Sequence, residues 1–228
     1  MIYITGDTHI PIDIKKLKEN FYEEILLTKN DYLIICGDFG GVWAENDTER
    51  EDILLWLNKR RYTTLFIDGN HENFDLLNKY EVLDWKGGKI HQIKSSILHL
   101  MRGQVYNIDN NKIFTFGGGA SSDKLDRIIG KSWWAEEIPS KKEMKIGLKN
   151  LKKNKYKIDY IITHVPPESI RKNFYYNKDE EKFSKYLEKI KNICEYKKWY
   201  FGHIHKDIDI DDKHILIFNN IININKEL

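Results

Sequence analysis

Five short apolar runs, each stopping at a polar block, constrain this chain more than any other feature. Met1-Ile2-Tyr3-Ile4 leads into Gly6-Asp7-Thr8-His9, Leu33-Ile34-Ile35-Cys36 into Gly37-Asp38-Phe39-Gly40, and Leu65-Phe66-Ile67 into Gly69-Asn70-His71-Glu72. Further on, Tyr160-Ile161-Ile162 runs into Thr163-His164-Val165-Pro166-Pro167, and Trp199-Tyr200-Phe201 into Gly202-His203-Ile204-His205. Runs of this length, rich in β-branched and aromatic residues, read as buried strands. Between them the spacing changes to a helical one. Ile14, Leu17, Phe21 and Ile25 recur every three or four residues and predict an amphipathic helix. Thr48 with Glu51 reads as a capping box ahead of Ile53, Leu54 and Leu57, and Asn73 to Tyr80 reads as a short helix that Glu72 or Asn73 caps. Strand–helix alternation of this kind is the mark of an α/β sheet with mainly parallel strands.

The middle of the chain differs. Ile90 to Ile97, Gln104 to Ile108 and Lys112 to Phe116 are β-prone, with Asp109-Asn110-Asn111 as hairpin turn chemistry. Gly117-Gly118-Gly119 ends this region, and the stretch around 117–139 reads as a long surface loop. Ser140 with Glu143 is a second capping box, its helix marked by Met144, Leu148 and Leu151; Phe183, Leu187 and Ile190 mark another over about 179–196. A final β run is expected at Ile215 to Phe218. No repeat or linker breaks the 228 residues, so one domain with a loop insertion is expected.

Composition narrows the partners. Hydrophobic residues make up 41%, and the net charge of +2 does not advertise nucleic acid as the principal partner, which leaves a nuclease possible but not favoured. No apolar run is long enough to cross a bilayer, no leader-like segment is evident, and Cys36 and Cys194 do not suggest a disulfide framework, so a cytoplasmic location is expected.

Side chains just past the carboxyl ends of parallel strands converge on one crevice. The blocks would therefore bring together Asp7, His9, Asp38, Asn70, His164, His203 and His205. Carboxylate and amide oxygens mixed with imidazole nitrogens suit manganese, iron, nickel or zinc. Seven donors exceed what one ion uses alongside a substrate, so two ions bridged by a carboxylate is the economical arrangement.

In this order and composition the five blocks, spanning residues 6 to 205, resemble those of the calcineurin-like metallophosphoesterases. The resemblance implies a four-layer α-β-β-α sandwich of two mixed sheets flanked by helices, where the residues alone leave a doubly wound sheet equally open. It implies that Asp7, His9 and His205 hold one divalent ion with Asp38, and that Asn70, His164 and His203 hold a second, Asp38 bridging both. Manganese is the first expectation for the pair. His71 would be the general acid at the leaving oxygen. Two ions about 3.5–4 Å apart can clamp a phosphate and activate a bridging water as hydroxide. The implied reaction is hydrolysis of a small phosphate mono- or diester, a nucleotide among the candidates; the alternatives are a nuclease and a catalytically silent scaffold. Gly117 to Lys124 and Ser132 to Glu137 resemble a bacterial and phage-type branch. Gly40-Gly41-Val42-Trp43 stands where the phosphoprotein-phosphatase branch has an aspartate–arginine–glycine run.

Outside the blocks, Arg102, Lys124 and Arg127 are candidates for meeting substrate phosphate, with solvated charge or a loop-stabilising pair as the plainer reading. Trp43, Trp133 and Trp134 could stack on a nucleobase but read more simply as packing under the loop, and His91, His99 and His214 as core or surface histidines.

Overall fold

The structure is a computed structural model that describes residues 1–225. Two mixed sheets stack face to face. The first sheet takes β1 (Ile2–Thr5), β2 (Tyr32–Ile35), β3 (Thr63–Phe66), β4 (Val82–Trp85), β5 (Gly88–Lys94) and β6 (Ile97–Leu100). The second takes β7 (Gln104–Ile108), β8 (Asn111–Phe116), β9 (Tyr160–Thr163), β10 (Lys198–Phe201), β11 (Ile208–Asp209) and β12 (His214–Leu216). A last strand, β13 (Ile221–Asn223), returns to the first sheet, which runs β13-β1-β2-β3-β6-β5-β4; the second runs β11-β12-β10-β9-β8-β7. The centres are parallel, β1-β2-β3-β6 in one sheet and β8-β9-β10-β12 in the other. Antiparallel strands occupy the edges.

Three apolar clusters show why the central strands read as unbroken runs. Ile2, Ile4, Ile34, Leu65, Ile162 and Tyr200 meet between the sheets. Their neighbours Tyr3, Leu33, Ile35 and Phe66 point the other way, under α1 (Lys15–Glu19), α2 (Thr48–Asn58) and α3 (Phe74–Leu77). Ile161, Trp199 and Phe201 pack under α4 (Lys141–Lys153), α5 (Glu168–Arg171) and α6 (Glu181–Ile193). Both faces of each strand are apolar, so alternation disappears. The architecture is therefore the four-layer sandwich, and the doubly wound alternative is set aside because helices cover only one face of each sheet. Among the described residues no helix is long and apolar enough to cross a membrane.

Several local expectations change. The helix expected through Ile25 stops at Glu19; a 3-10 turn over Tyr22–Leu26 follows with no buried residue, and Ile25 is 69% exposed. Only Ile14, Leu17 and Phe21 reach the core, so the fourth apolar position had no partner to hold a further turn. Asp47, not Thr48, caps α2 by accepting from the Arg50 amide, while Glu51 pairs with Lys94 at 2.5 Å. Asn73 caps α3, leaving Glu72 to accept from Phe39 N at 2.7 Å. The Ser140–Glu143 box forms. Asp109 and Asn110 both take positive φ (53° and 61°), as a two-residue hairpin turn requires. The 117–139 stretch carries the 3-10 turns Lys124–Asp126 and Ala135–Glu137 and an isolated bridge between Ile129 and Trp133.

Arg102 does not face a substrate cleft. Its guanidinium donates to the Asp68 carboxylate at 2.8 and 2.6 Å, both buried, and to Glu136 O at 2.7 Å, partly buried. His99 Nε2 lies 3.1 Å from the same carboxylate, with His91 behind it at 3.0 Å. Burial opposes ionisation of Asp68, but the guanidinium and His99 outweigh it and hold the carboxyl below its usual range. Arg102→Met leaves that buried carboxylate with His99 but without its guanidinium and is expected to cost about 3–5 kcal/mol. Urea unfolding of Arg102→Met beside Asp68→Leu/Arg102→Met checks this, since the double variant should recover most of the loss.

Candidate metal centre

The parallel strands of each sheet deliver their carboxyl ends to one side. β1 ends just before Asp7, β2 before Asp38 and β3 before Asn70; across the sandwich, β9 ends before His164 and β10 before His203 and His205. All seven residues come together. One set of donors, from Asp7, His9, Asp38 and His205, lies within 4.8 Å of one another; a second, from Asp38, His164 and His203, does the same. Asn70 Oδ1 joins the second set at 3.3 Å from His164 Nε2. Asp38 belongs to both.

The backbone is strained at these residues. His9, Asp38, His203 and His205 all take φ between 33° and 70°. Non-glycine residues in this region cost of order 1 kcal/mol or more and cluster at functional sites. Fixed hydrogen bonds hold them there: His9 N donates to Asp38 O at 2.9 Å, and His203 N to the Asp7 carboxylate at 3.1 Å. Two glycines allow the close approach, since a Cβ on Gly69 would lie 2.0 Å from Asp38 Oδ1 and one on Gly202 2.1 Å from Asp7 Oδ1.

Opposite charges meet at short range. His9 Nε2 lies 3.1 Å from Asp38 Oδ2, His164 Nε2 3.3 Å from Asp38 Oδ1, and His205 Nε2 3.1 Å from Asp7 Oδ2. Burial opposes the charge on Asp38, but His164 and His9 outweigh it and hold its carboxyl well below the usual range. Burial likewise opposes protonation of His164, yet Asp38 and Asp7 push it up to about 10. His203 is pulled down by burial and by His164. The donor atoms thus share protons at positions where a cation would replace them.

Sequence reasoning missed the groups behind these donors. Asp13 Oδ2 takes His9 Nδ1 at 2.8 Å, Cys36 O takes His164 Nδ1 at 2.8 Å, and Glu180 Oε2 stands 3.5 Å from His203 Nε2. Such partners fix the tautomer and leave the other nitrogen toward a metal. Lys16 is buried and donates to the carbonyls of Gly6, Asp7 and Phe218, while the Phe218 ring stacks on His205 at 4.8 Å. Asp13, four residues past His9, carried a faint signal. Glu180 and Lys16 carried none, because a single charged residue between helical positions is ordinary.

His71 stands at the rim. Its amide donates to Asp38 Oδ1 at 2.8 Å, and Arg127 Nη2 approaches its Nε2 at 3.2 Å. Burial draws the imidazole below its usual value and Arg127 adds to this, while Asp38 works against both. Arg127 is steered by Asp123 at 2.8 Å and lines a cleft of about 500 Å³ with Asn70, His71, Asn177 and His203. Lys124 is occupied elsewhere, pairing with Asp179 at 3.2 Å over the Trp133 ring. Of the three basic candidates, then, only Arg127 reaches the centre.

A two-sheet sandwich with carboxylates and imidazoles converging at its strand ends has the architecture of a metal-dependent hydrolase. The family model for calcineurin-like phosphoesterases matches residues 1–207, and the chain belongs to that family. It is a metallophosphoesterase. No curated protein matches the chain.

Glu137 ties down the loop that carries Arg127. It is 1% exposed and accepts from Ser121 N and Oγ at 3.0 and 2.9 Å. Burial pushes its carboxyl up to about 7 from the ordinary 4.5. Between those values the folded state holds the proton that the unfolded state has released, so Glu137 lowers stability as pH rises through this window. Urea unfolding at pH 5 and pH 8 should show the wild type losing stability relative to Glu137→Gln on the way up; a constant difference would refute it.

Proposed function

We propose that the protein hydrolyses a small phosphate ester with two divalent cations, one at Asp7, His9, His205 and Asp38 and the other at Asn70, His164, His203 and Asp38. The observation that carries this reading is Asp38, buried and common to both donor sets. The donors fit such ions: imidazole and carboxylate or amide oxygen in both sets, no thiolate among them, and a buried Asp38 offset by histidines. Manganese heads the candidates, ahead of iron, nickel and zinc. When bound, the ions supply Lewis-acid polarisation of the phosphoryl group and an activated water.

The chain's own residues do the rest. Arg127 offers a guanidinium to the phosphoryl oxygens, which suits their geometry. His71 presents Nε2 to the same cleft and delivers a proton there to the leaving oxygen, avoiding expulsion of a bare alkoxide. A phosphate dianion arriving beside Arg127 offsets the downward push on His71 and favours the imidazolium. Asp38 fixes His71 through the backbone amide at 2.8 Å, so donor set and acid move as one unit.

His71→Ala is expected to keep its metal and lose on the order of 10²–10⁴ in turnover. Asp38→Asn is expected to lose metal altogether, and elemental analysis showing two ions retained in it would remove the bridge. A chelator should abolish hydrolysis of phosphomonoester and phosphodiester chromogens, and Mn²⁺ should restore it; inactivity toward both in Mn²⁺ would sink the proposal. Glu180→Gln should weaken one ion by about 10–100-fold and spare the other, as titration calorimetry can resolve.

A further inference from the structure

The centre has a second approach besides the Arg127 side. A cleft of about 430 Å³ opens between Trp43, Arg50 and Ile12 and reaches His9, His71 and His205. The Arg127 side is lined by Phe174, Tyr175 and Tyr176 as well as by amides and charges; this side offers an indole, an exposed isoleucine (68%) and one guanidinium. The indole is held in place. Asn73 bonds both Trp43 O (2.7 Å) and Val42 O (3.1 Å), and the Trp134 ring meets Trp43 edge-on at 5.7 Å. Trp134 is itself anchored through Nε1 to Asp75 at 2.9 Å. Arg50 is fixed by Asp47 at 2.5 Å and Gly40 O at 2.9 Å. The Trp43 plane lies 28° from that of His71, with the ring centroids 6.4 Å apart.

We infer that this cleft is a subsite for the planar aromatic part of the leaving group, and that the substrate class is a nucleoside phosphate with its base against Trp43 and its phosphate against Arg127. The inference rests on the phosphoesterase reading of the centre. A rigid indole face binds a base by stacking with little ordering cost, and a neighbouring guanidinium adds a cation–π or hydrogen-bonding contact. A hollow of about 580 Å³ beyond it, sharing Trp43 and Arg50 but none of the converging donors, gives the base room to project.

The test is calorimetric binding to the Mn²⁺-loaded protein of two non-hydrolysable phosphonates, the analogues of AMP and of ribose 5-phosphate. The AMP analogue should bind on the order of 10- to 100-fold more tightly. Trp43→Ala should erase that advantage, Trp43→Phe should keep most of it, and Tyr176→Ala, at an exposed aromatic in the other cleft, should not touch it. Equal binding of the two ligands by the wild type, no binding of either, or an advantage that follows Tyr176 instead of Trp43 overturns the subsite. Because the assay needs no turnover, failure of hydrolysis would count against the phosphoesterase reading alone.

Discussion

Removing a carboxylate from water costs several kcal/mol unless cations and donors surround it. Asp38 is 1% exposed and sits in a left-handed backbone conformation as well, so two unfavourable terms meet at one residue. Two side chains and one amide offset them: His9, His164 and the His71 N–H. Each of these comes from a different strand end. The site is thus a joint between two sheets, and the sandwich can close there only if the charges are balanced. Protons do this in the free protein, and a cation bound by the same donors would displace them.

That joint explains the parallel centres of the two sheets. Antiparallel neighbours would send alternate loops to opposite ends and scatter the seven donors. Because β1, β2 and β3 run together in one sheet and β9 and β10 in the other, all five blocks arrive at one edge. The antiparallel strands are confined to positions that carry no donor.

Legibility in the sequence follows the same division. The five central strands were readable because both faces are buried and the runs are continuous, and each ended in residues whose chemistry stood apart from the run. The pairing of sheets was not readable, since Ile2 and Tyr3 are equally apolar although one faces the other sheet and the next faces helices. Of the edge strands, β7 was readable, while β4, β11 and β13 were missed for the opposite reason. β4 alternates between exposed and half-buried positions, and Ile221–Asn223 is three half-buried residues whose place depends on β1. Ile25 fitted a helical period that the fold does not use. Around the site, donors were visible and their supports were not: Glu180 lies 3.5 Å from His203 through a helix start that nothing local connects to it.

The long loop shows how a segment without helix or strand can still place a side chain. Its backbone is fastened at successive residues: Gly118 N and Gly119 N donate to the backbone carbonyls of Asp68 and Glu137, and Ala120 N and Ser121 N to the buried carboxylates of Glu180 and Glu137. Asp68 in turn is held by Arg102, whose guanidinium also grips Glu136 O at the far end of the same loop. Arg102 therefore closes a ring that starts beside β3, passes through the loop and returns. Arg127 projects from the middle of that ring toward His71. A basic residue that looks suited to phosphate thus serves by fixing another one, and the loop's precision comes from ion pairing at its ends, with only two short 3-10 turns and one β-bridge along its length.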